Sequence, residues 1–260
     1  MNKLKNYLKK RIYILNCPID ALTMEETLEI IDSAIQNNKH IHHAVVNAAK
    51  LVKMKKDKEL FESVVNADII NADGIAVVWA SKLLGEPLPE RVTGIDLMQN
   101  LVKLAHEKGY KIFFFGAREE VVKKVVEKYS KEYSPDIIAG YRNGYYSEEE
   151  EPLIAKQIAE SGANILFVAI SSPKKERFLY KYKNILKNIN FIMGVGGSFD
   201  VVAGKVKRAP KWMQKLGLEW FYRFLQEPRR MWKRAFIDNF IFVYYVFVEF
   251  IKEKFLKIKN

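Results

Sequence analysis

Several polar clusters in this chain have the residue types and settings to act on a phosphate-rich ligand. Asp73 ends the short apolar run Asp68-Ile69-Ile70-Asn71-Ala72-Asp73 and is followed by Gly74 and a helical stretch from Ile75. A carboxylate at a strand end can serve as a general base. The same position suits a helix N-cap, where Asp is favoured, and spacing alone leaves both roles open. Asn47 closes a second apolar run, Ala44-Val45-Val46-Asn47. Ser172-Pro173-Lys174-Lys175 places cations and backbone N–H groups at a helix start, which fits a phosphate site or a solvated first turn. Gly194-Val195-Gly196-Gly197-Ser198-Phe199-Asp200 follows another apolar strand, and glycines there let a ligand approach the backbone. This turn lacks the dinucleotide-binding spacing and the acid expected about twenty residues later. Beyond it runs a basic, aromatic segment carrying Arg223, Arg229, Arg230 and Arg234, cations suited to a diphosphate or an anionic membrane surface.

Alternating apolar runs and amphipathic stretches position these residues. Strands are expected at Ile12 to Leu15, Ala44 to Asn47, Asp68 to Asp73, Lys111 to Phe115, Ile137 to Tyr141, Asn164 to Ile170 and Phe191 to Val195, the last closing the sheet. Between them fall helices, including Met24–Gln36 and Glu148–Ser161, opened by the capping-box spacings Thr23-x-x-Glu26 and Ser147-x-x-Glu150. Lys50 to Asn66 reads as one helix, and Arg91-Val92-Thr93-Gly94-Ile95-Asp96 as a loop before another. This alternation implies an α/β fold, a mostly parallel sheet with helices on both faces. Ligands bind such a sheet at the carboxyl ends of its strands, where Asn47, Asp73 and the serine and glycine turns fall.

Charge separates the chain into two parts. Residues 204–260 hold 14 Lys and Arg against 5 Asp and Glu, or +9, out of a net +12 for all 260 residues. Residues 1–203 are therefore expected to form the α/β domain, and 204–260 a basic appendage facing an anionic partner. The final helix, Phe236 to about Lys257, has an uninterrupted apolar run of nine residues, Phe240–Val248, well short of the ~20 that span a bilayer. Flanked by lysines, it suits insertion into a membrane interface or docking on the core or on a second subunit. A homo-oligomer is thus left open. The single Cys17 fits a reducing compartment, and the basic N-terminus (Lys3, Lys5, Lys9, Lys10, Arg11) lacks the apolar core of a signal peptide. The expected location is cytoplasmic, peripheral to the membrane.

Absences narrow the chemistry. There is no Asp-x-Asp pair for a metal holding a nucleotide diphosphate, so Lys, Arg and helix N-termini would neutralise that charge. His40, His42 and His43 lack partner ligands and read as surface or strand-edge residues. There is no P-loop and no serine elbow.

Taken in order, Asn71-Ala72-Asp73-Gly74, Arg91-Val92-Thr93-Gly94-Ile95-Asp96-Leu97, Phe114-Phe115-Gly116, Ser172-Pro173-Lys174, Gly194 to Asp200, Ala203 to Pro210 and Gly217-Leu218-Glu219-Trp220 resemble the WecG/TagA/CpsF family of bacterial glycosyltransferases, over roughly residues 12–234. The resemblance implies inverting, metal-independent and cofactor-free transfer of a sugar from UDP to a sugar on polyprenyl diphosphate, without a nucleic-acid partner. By position it makes Asp73 the general base, and Asn47 and Arg91 contacts to donor sugar or acceptor, with Thr93 beside them. Gly196, Gly197 and Asp200 would line the nucleotide region, with Ser172 and Lys175 close to the donor. Arg223, Arg229, Arg230 and Arg234 are the candidates for gripping diphosphate. Where the family often shows Thr-x-Asn and Gly-Ser-Pro-Lys-Gln-Glu, this chain has Val45-Val46-Asn47 and Ser171-Ser172-Pro173-Lys174-Lys175-Glu176. These departures leave the donor open between N-acetylmannosamine and glucose or another hexose. Read without the resemblance, the basic tail also fits a non-catalytic membrane-surface or nucleic-acid-binding module, and the glycine turn a nucleotide-dependent oxidoreductase.

Overall fold

The computed structural model describes residues 11–258; the basic residues expected at Lys3 to Lys10 lie outside them. Six parallel strands form the central sheet: β3 (Ile41–Val46), β4 (Ile69–Ala72), β5 (Ile112–Gly116), β6 (Ile138–Arg142), β7 (Ile165–Ala169) and β8 (Phe191–Gly194), in the order β4-β3-β8-β7-β5-β6. The expected last strand, β8, does not close an edge. It enters the middle, between β3 and β7.

Side-chain alternation supplies a core on each face. Ile112, Phe114, Phe167, Phe191 and Met193 face one layer, and Phe113, Phe115, Leu166, Val168 and Ile192 face the other. These strands are apolar throughout because both faces are covered. The capping boxes form as expected, Thr23 opening α1 (Met24–Gln36) and Ser147 a turn that leads into a later helix.

Two local expectations change. The first strand is half of an antiparallel hairpin, β1 (Arg11–Ile14) with β2 (Cys17–Asp20). Its turn residues Leu15 and Asn16 both take positive φ, conformations costly for a leucine. The Glu249 carboxylate accepts the Leu15 N–H at 3.0 Å. Lys50 to Asn66 is two helices, α2 (Ala48–Met54) and α3 (Lys58–Val65), because the Asp57 side chain caps a new start by accepting the Leu60 N–H. Next come α4 (Ile75–Leu83), α5 (Gly94–Lys108), α6 (Glu119–Glu132), α7 (Glu151–Ala159), α8 (Lys174–Lys181), α9 (Lys183–Leu186) and α10 (Ser198–Val202).

After residue 203 the regular elements among the described residues are all helical: α11 (Lys211–Lys215), α12 (Glu219–Gln226), α13 (Pro228–Trp232), a π-turn over Lys233–Asp238, and α14 (Asn239–Ile258). One face of α14 is docked. Phe242 and Val246 are buried in the cluster formed by the hairpin, α2 and α4, and Lys55 lies over the Tyr245 ring. The other face presents Phe240, Val243, Tyr244, Phe247, Ile251 and Phe255 to solvent. The core-docking and exposed-aromatic readings thus describe opposite faces of one helix. No described helix is long and apolar enough to cross a membrane.

Candidate active site

Strand register assembles the candidate site at the carboxyl edge of the sheet. Val46 pairs with Ala72, so Asn47 and Asp73 leave adjacent strands side by side, and the Asp73 N–H donates to Val46 O. A Cβ on Gly74 would lie only 3.0 Å from Asn47 Cβ, which is why glycine stands there. Asp73 is not a helix N-cap: Gly74 holds that position. The Asp73 carboxylate instead accepts the Gly94 N–H at 3.0 Å through Oδ1, at the start of α5. Its second oxygen has no protein partner among the described residues. Asn47 does cap a helix, its Oδ1 accepting the Lys50 N–H at 3.1 Å.

Thr93, also an N-cap, accepts the Asp96 N–H at 3.2 Å and donates its hydroxyl to the Asp96 carboxylate. Arg91 reaches the Glu219 carboxylate at 3.7 Å. Arg208 grips Asp96 through both Nη atoms and donates from Nε to Glu219 at 2.9 Å. Burial disfavours the Asp96 carboxylate, but Arg208 and Thr93 outweigh it and hold its pKa below the ordinary value. Burial likewise disfavours the Arg208 cation, and Asp96 and Glu219 more than restore it.

The C-terminal helices reach the site from the other side. Gly217 packs on Ile75, a Cβ there falling 2.6 Å from its Cγ2. A Cβ on Gly197 would collide with Arg223 Nη2 and sit 3.2 Å from its Cζ, so the Arg223 guanidinium lies directly over the glycine turn after β8. Gly196 takes the left-handed conformation in that turn. Asp200 lies in the first turn of α10, and its carbonyl accepts the Lys205 and Val206 N–H groups.

Ser172, Lys174 and Lys175 are placed differently from a solvated turn. Lys174 lies over the Tyr146 ring at 3.7 Å. Lys175 is buried against Gly194, and its ammonium meets Glu176 at 2.8 Å, with Lys50 on the same oxygen at 2.9 Å. Burial opposes ionisation of Glu176, yet the two lysines hold it well below the usual carboxylate range. The Ser172 hydroxyl is buried beside this cluster's helix without a hydrogen-bond partner among the described residues. Arg229 and Arg230 project outward from α13, Arg230 onto Glu227 at 2.9 Å; the Arg234 side chain lies outside the described residues. His43, read as a surface or strand-edge residue, is instead core, 1% exposed on the interior strand β3.

The sequence reading missed Asp96, Arg208 and Glu219 as partners, as well as Lys50 with Glu176. Asp96 stood at capping distance from Thr93, but Arg208 joins it across 112 residues, a link no local spacing reveals.

The fold is that of the α/β proteins with an open parallel sheet, a class whose ligands bind at the carboxyl ends of the strands. Sequence comparison gives the particular family. The model of the Glycosyl transferase WecG/TagA/CpsF family matches residues 12–255, and the chain belongs to this family. A relative from Bacillus subtilis (strain 168), an N-acetylglucosaminyldiphosphoundecaprenol N-acetyl-beta-D-mannosaminyltransferase, is 43% identical over 179 residues, covering 69% of this chain and 68% of the relative. A Bacillus spizizenii protein of the same description is 41% identical over 175 residues, covering 67% and 66%.

Proposed function

We propose that the chain transfers a hexose or N-acetylhexosamine from a UDP-sugar to a polyprenyl-diphosphate-linked sugar, with inversion and without a metal, in the synthesis of a cell-surface polysaccharide or teichoic acid. The observation that carries this reading is the Asp73 carboxylate, with one oxygen anchored by Gly94 N–H and the other left to take a proton. Inverting transfer needs a base on the face of the donor sugar opposite the departing UDP. The acceptor hydroxyl gives its proton to Asp73 as its oxygen bonds to the anomeric carbon and the bond to UDP breaks. The negative charge that develops on the diphosphate meets the Arg223 guanidinium over Gly197, with the backbone N–H groups of the glycine turn. Arg229 and Arg230, exposed on α13, extend this basic surface toward the lipid diphosphate. The identity of the two Bacillus relatives as N-acetylmannosaminyltransferases of N-acetylglucosaminyldiphosphoundecaprenol supports the lipid-linked acceptor and makes UDP-N-acetylmannosamine the first donor to try, beside UDP-glucose.

The exposed stripe of α14, Phe240, Val243, Tyr244, Phe247, Ile251 and Phe255, with Lys252 and Lys254 next to it, is proposed as the face that rests on an anionic membrane. UDP release should be measured with a panel of UDP-sugars and a short-chain polyprenyl-diphosphate-sugar acceptor, EDTA present. Acceptor-dependent release with one donor supports the reading. D73N should abolish that release while UDP still binds, and normal turnover in D73N would remove Asp73 as the base.

A further inference from the structure

Arg208 touches neither Asp73 nor Gly197, yet it joins the two elements that present them. On one side its guanidinium holds Asp96, with Nη2 at 2.8 Å from Oδ2. Asp96 sits in the first turn of α5, bonded to the N-cap Thr93, and the next residue, Gly94, donates the N–H that fixes Asp73. On the other side Arg208 Nε donates to Glu219 at 2.9 Å. Glu219 is the first residue of α12, the helix that lays Arg223 over the Gly197 turn. Arg91 reaches the same Glu219 carboxylate, so two arginines and two acids from three segments, Arg91–Asp96, Arg208 and the start of α12, meet at one point. A second link fastens this segment to α12: Gln226 accepts the Lys207 N–H and donates to the Lys207 carbonyl, at 3.0 and 2.9 Å.

We infer that Arg208 is a positioning residue that couples the seating of the Arg223 helix to the orientation of Asp73. The inference rests on the reading of Asp73 as the base. A planar guanidinium serves two carboxylates at fixed angles at once, which an ammonium does not. These pairs are part-buried, and the one to Asp96 is bidentate, so the network holds the two helix starts at a fixed angle to one another. With α12 seated, Arg208 is held at both ends, and the first turn of α5 keeps the Gly94 N–H aimed at Asp73. With α12 displaced, Asp96 loses its cation and that turn loses its tether. The base is therefore correctly aimed only when the diphosphate-binding arginine is also in place.

The test uses the full chain with a UDP-sugar and a polyprenyl-diphosphate-sugar acceptor. R208Q is expected to lower kcat about 100-fold, the scale of a misplacement of about 1 Å outside the reacting groups. The KM for the UDP-sugar should change less than about threefold, because the interaction lost is one made in the transition state. R208K, which keeps the charge without the fork, should fall between. With 15N-glycine labelling there are only 13 glycine amides to resolve, and the Gly94 signal, assigned from its loss in G94A, should move in R208Q. D96N keeps an oxygen to accept the Thr93 hydroxyl but loses the charge. It should show the same kcat loss and Gly94 shift, and it replaces R208Q should that variant melt early by circular dichroism. A kcat within about threefold of the wild type, or a Gly94 amide that does not move, overturns the inference. Normal turnover in D73N overturns the base and the inference together, whereas a silent R208Q beside an inactive D73N overturns the inference alone.

Discussion

His43 makes the stability of this fold sensitive to pH. Its imidazole is 1% exposed on an interior strand and tilts against the Phe191 ring. Nε2 lies 2.8 Å from Asn71 Oδ1 and so carries the proton, whereas Nδ1 is buried without a partner among the described residues. A second proton on Nδ1 would bury an unsatisfied charged donor. Burial accordingly lowers the pKa to about 4, with the Lys50 cation adding to the effect and the Asn71 bond opposing it. The unfolded chain has an ordinary histidine near 6.5. Between these values the unfolded state binds a proton that the folded state refuses, so stability rises with pH across this window and is complete above about pH 7.5. At pH 5 the unfolded form gains about 1.5 pH units of protonation and the folded form almost none, a loss of about 2 kcal/mol relative to pH 8. Urea unfolding of wild type and H43Q at both pH values isolates this term, because His42 and the carboxylates act in both proteins. The wild type should lose about 2 kcal/mol more than H43Q on acidification. Equal losses, within about 0.5 kcal/mol, would show that His43 protonates freely in the folded protein and refute the reasoning.

Three further outcomes follow from the packing. G197A should push the Arg223 guanidinium off the glycine turn, lowering kcat/KM for the UDP-sugar about tenfold with the melting temperature nearly unchanged, since the displaced group is a side-chain end. The two faces of α14 should separate in assay. F242A, in the core cluster, should cost about 3–5 kcal/mol in urea unfolding. F240A, exposed on the opposite face, should cost less than about 0.5 kcal/mol yet weaken binding to anionic vesicles, measured by co-sedimentation. G217A should destabilise by about 1–3 kcal/mol, because a Cβ at positive φ must also enter the space of Ile75.

Much of the site lay open in the sequence because its signals are local. Asp73 and Asn47 end apolar runs, glycines follow Met193 and Val195, and parallel strands deliver such ends to one edge. Capping boxes at Thr23 and Ser147 fixed two helix starts through contacts three residues apart. The hairpin escaped because Leu15 adopts a turn conformation its residue type disfavours, helped by an N–H acceptor on Glu249, 234 residues away. The same distance effect hid the placing of β8 between β3 and β7, the burial of His43 and the sharing of Glu176 by Lys50 and Lys175.

The role of Asp73 shows the division most clearly. Residue type and position admitted both an N-cap and a base, and the chain alone had no means to separate them. Only the fold brings Gly94 to Asp73 Oδ1 and gives the cap to Gly74. The sequence determined which residues reach the carboxyl edge, because period and turn chemistry act over a few residues. The tertiary structure decided what each one touches there, because Arg208 and Glu219 meet Asp96 and Arg91 only after segments more than a hundred residues apart have packed.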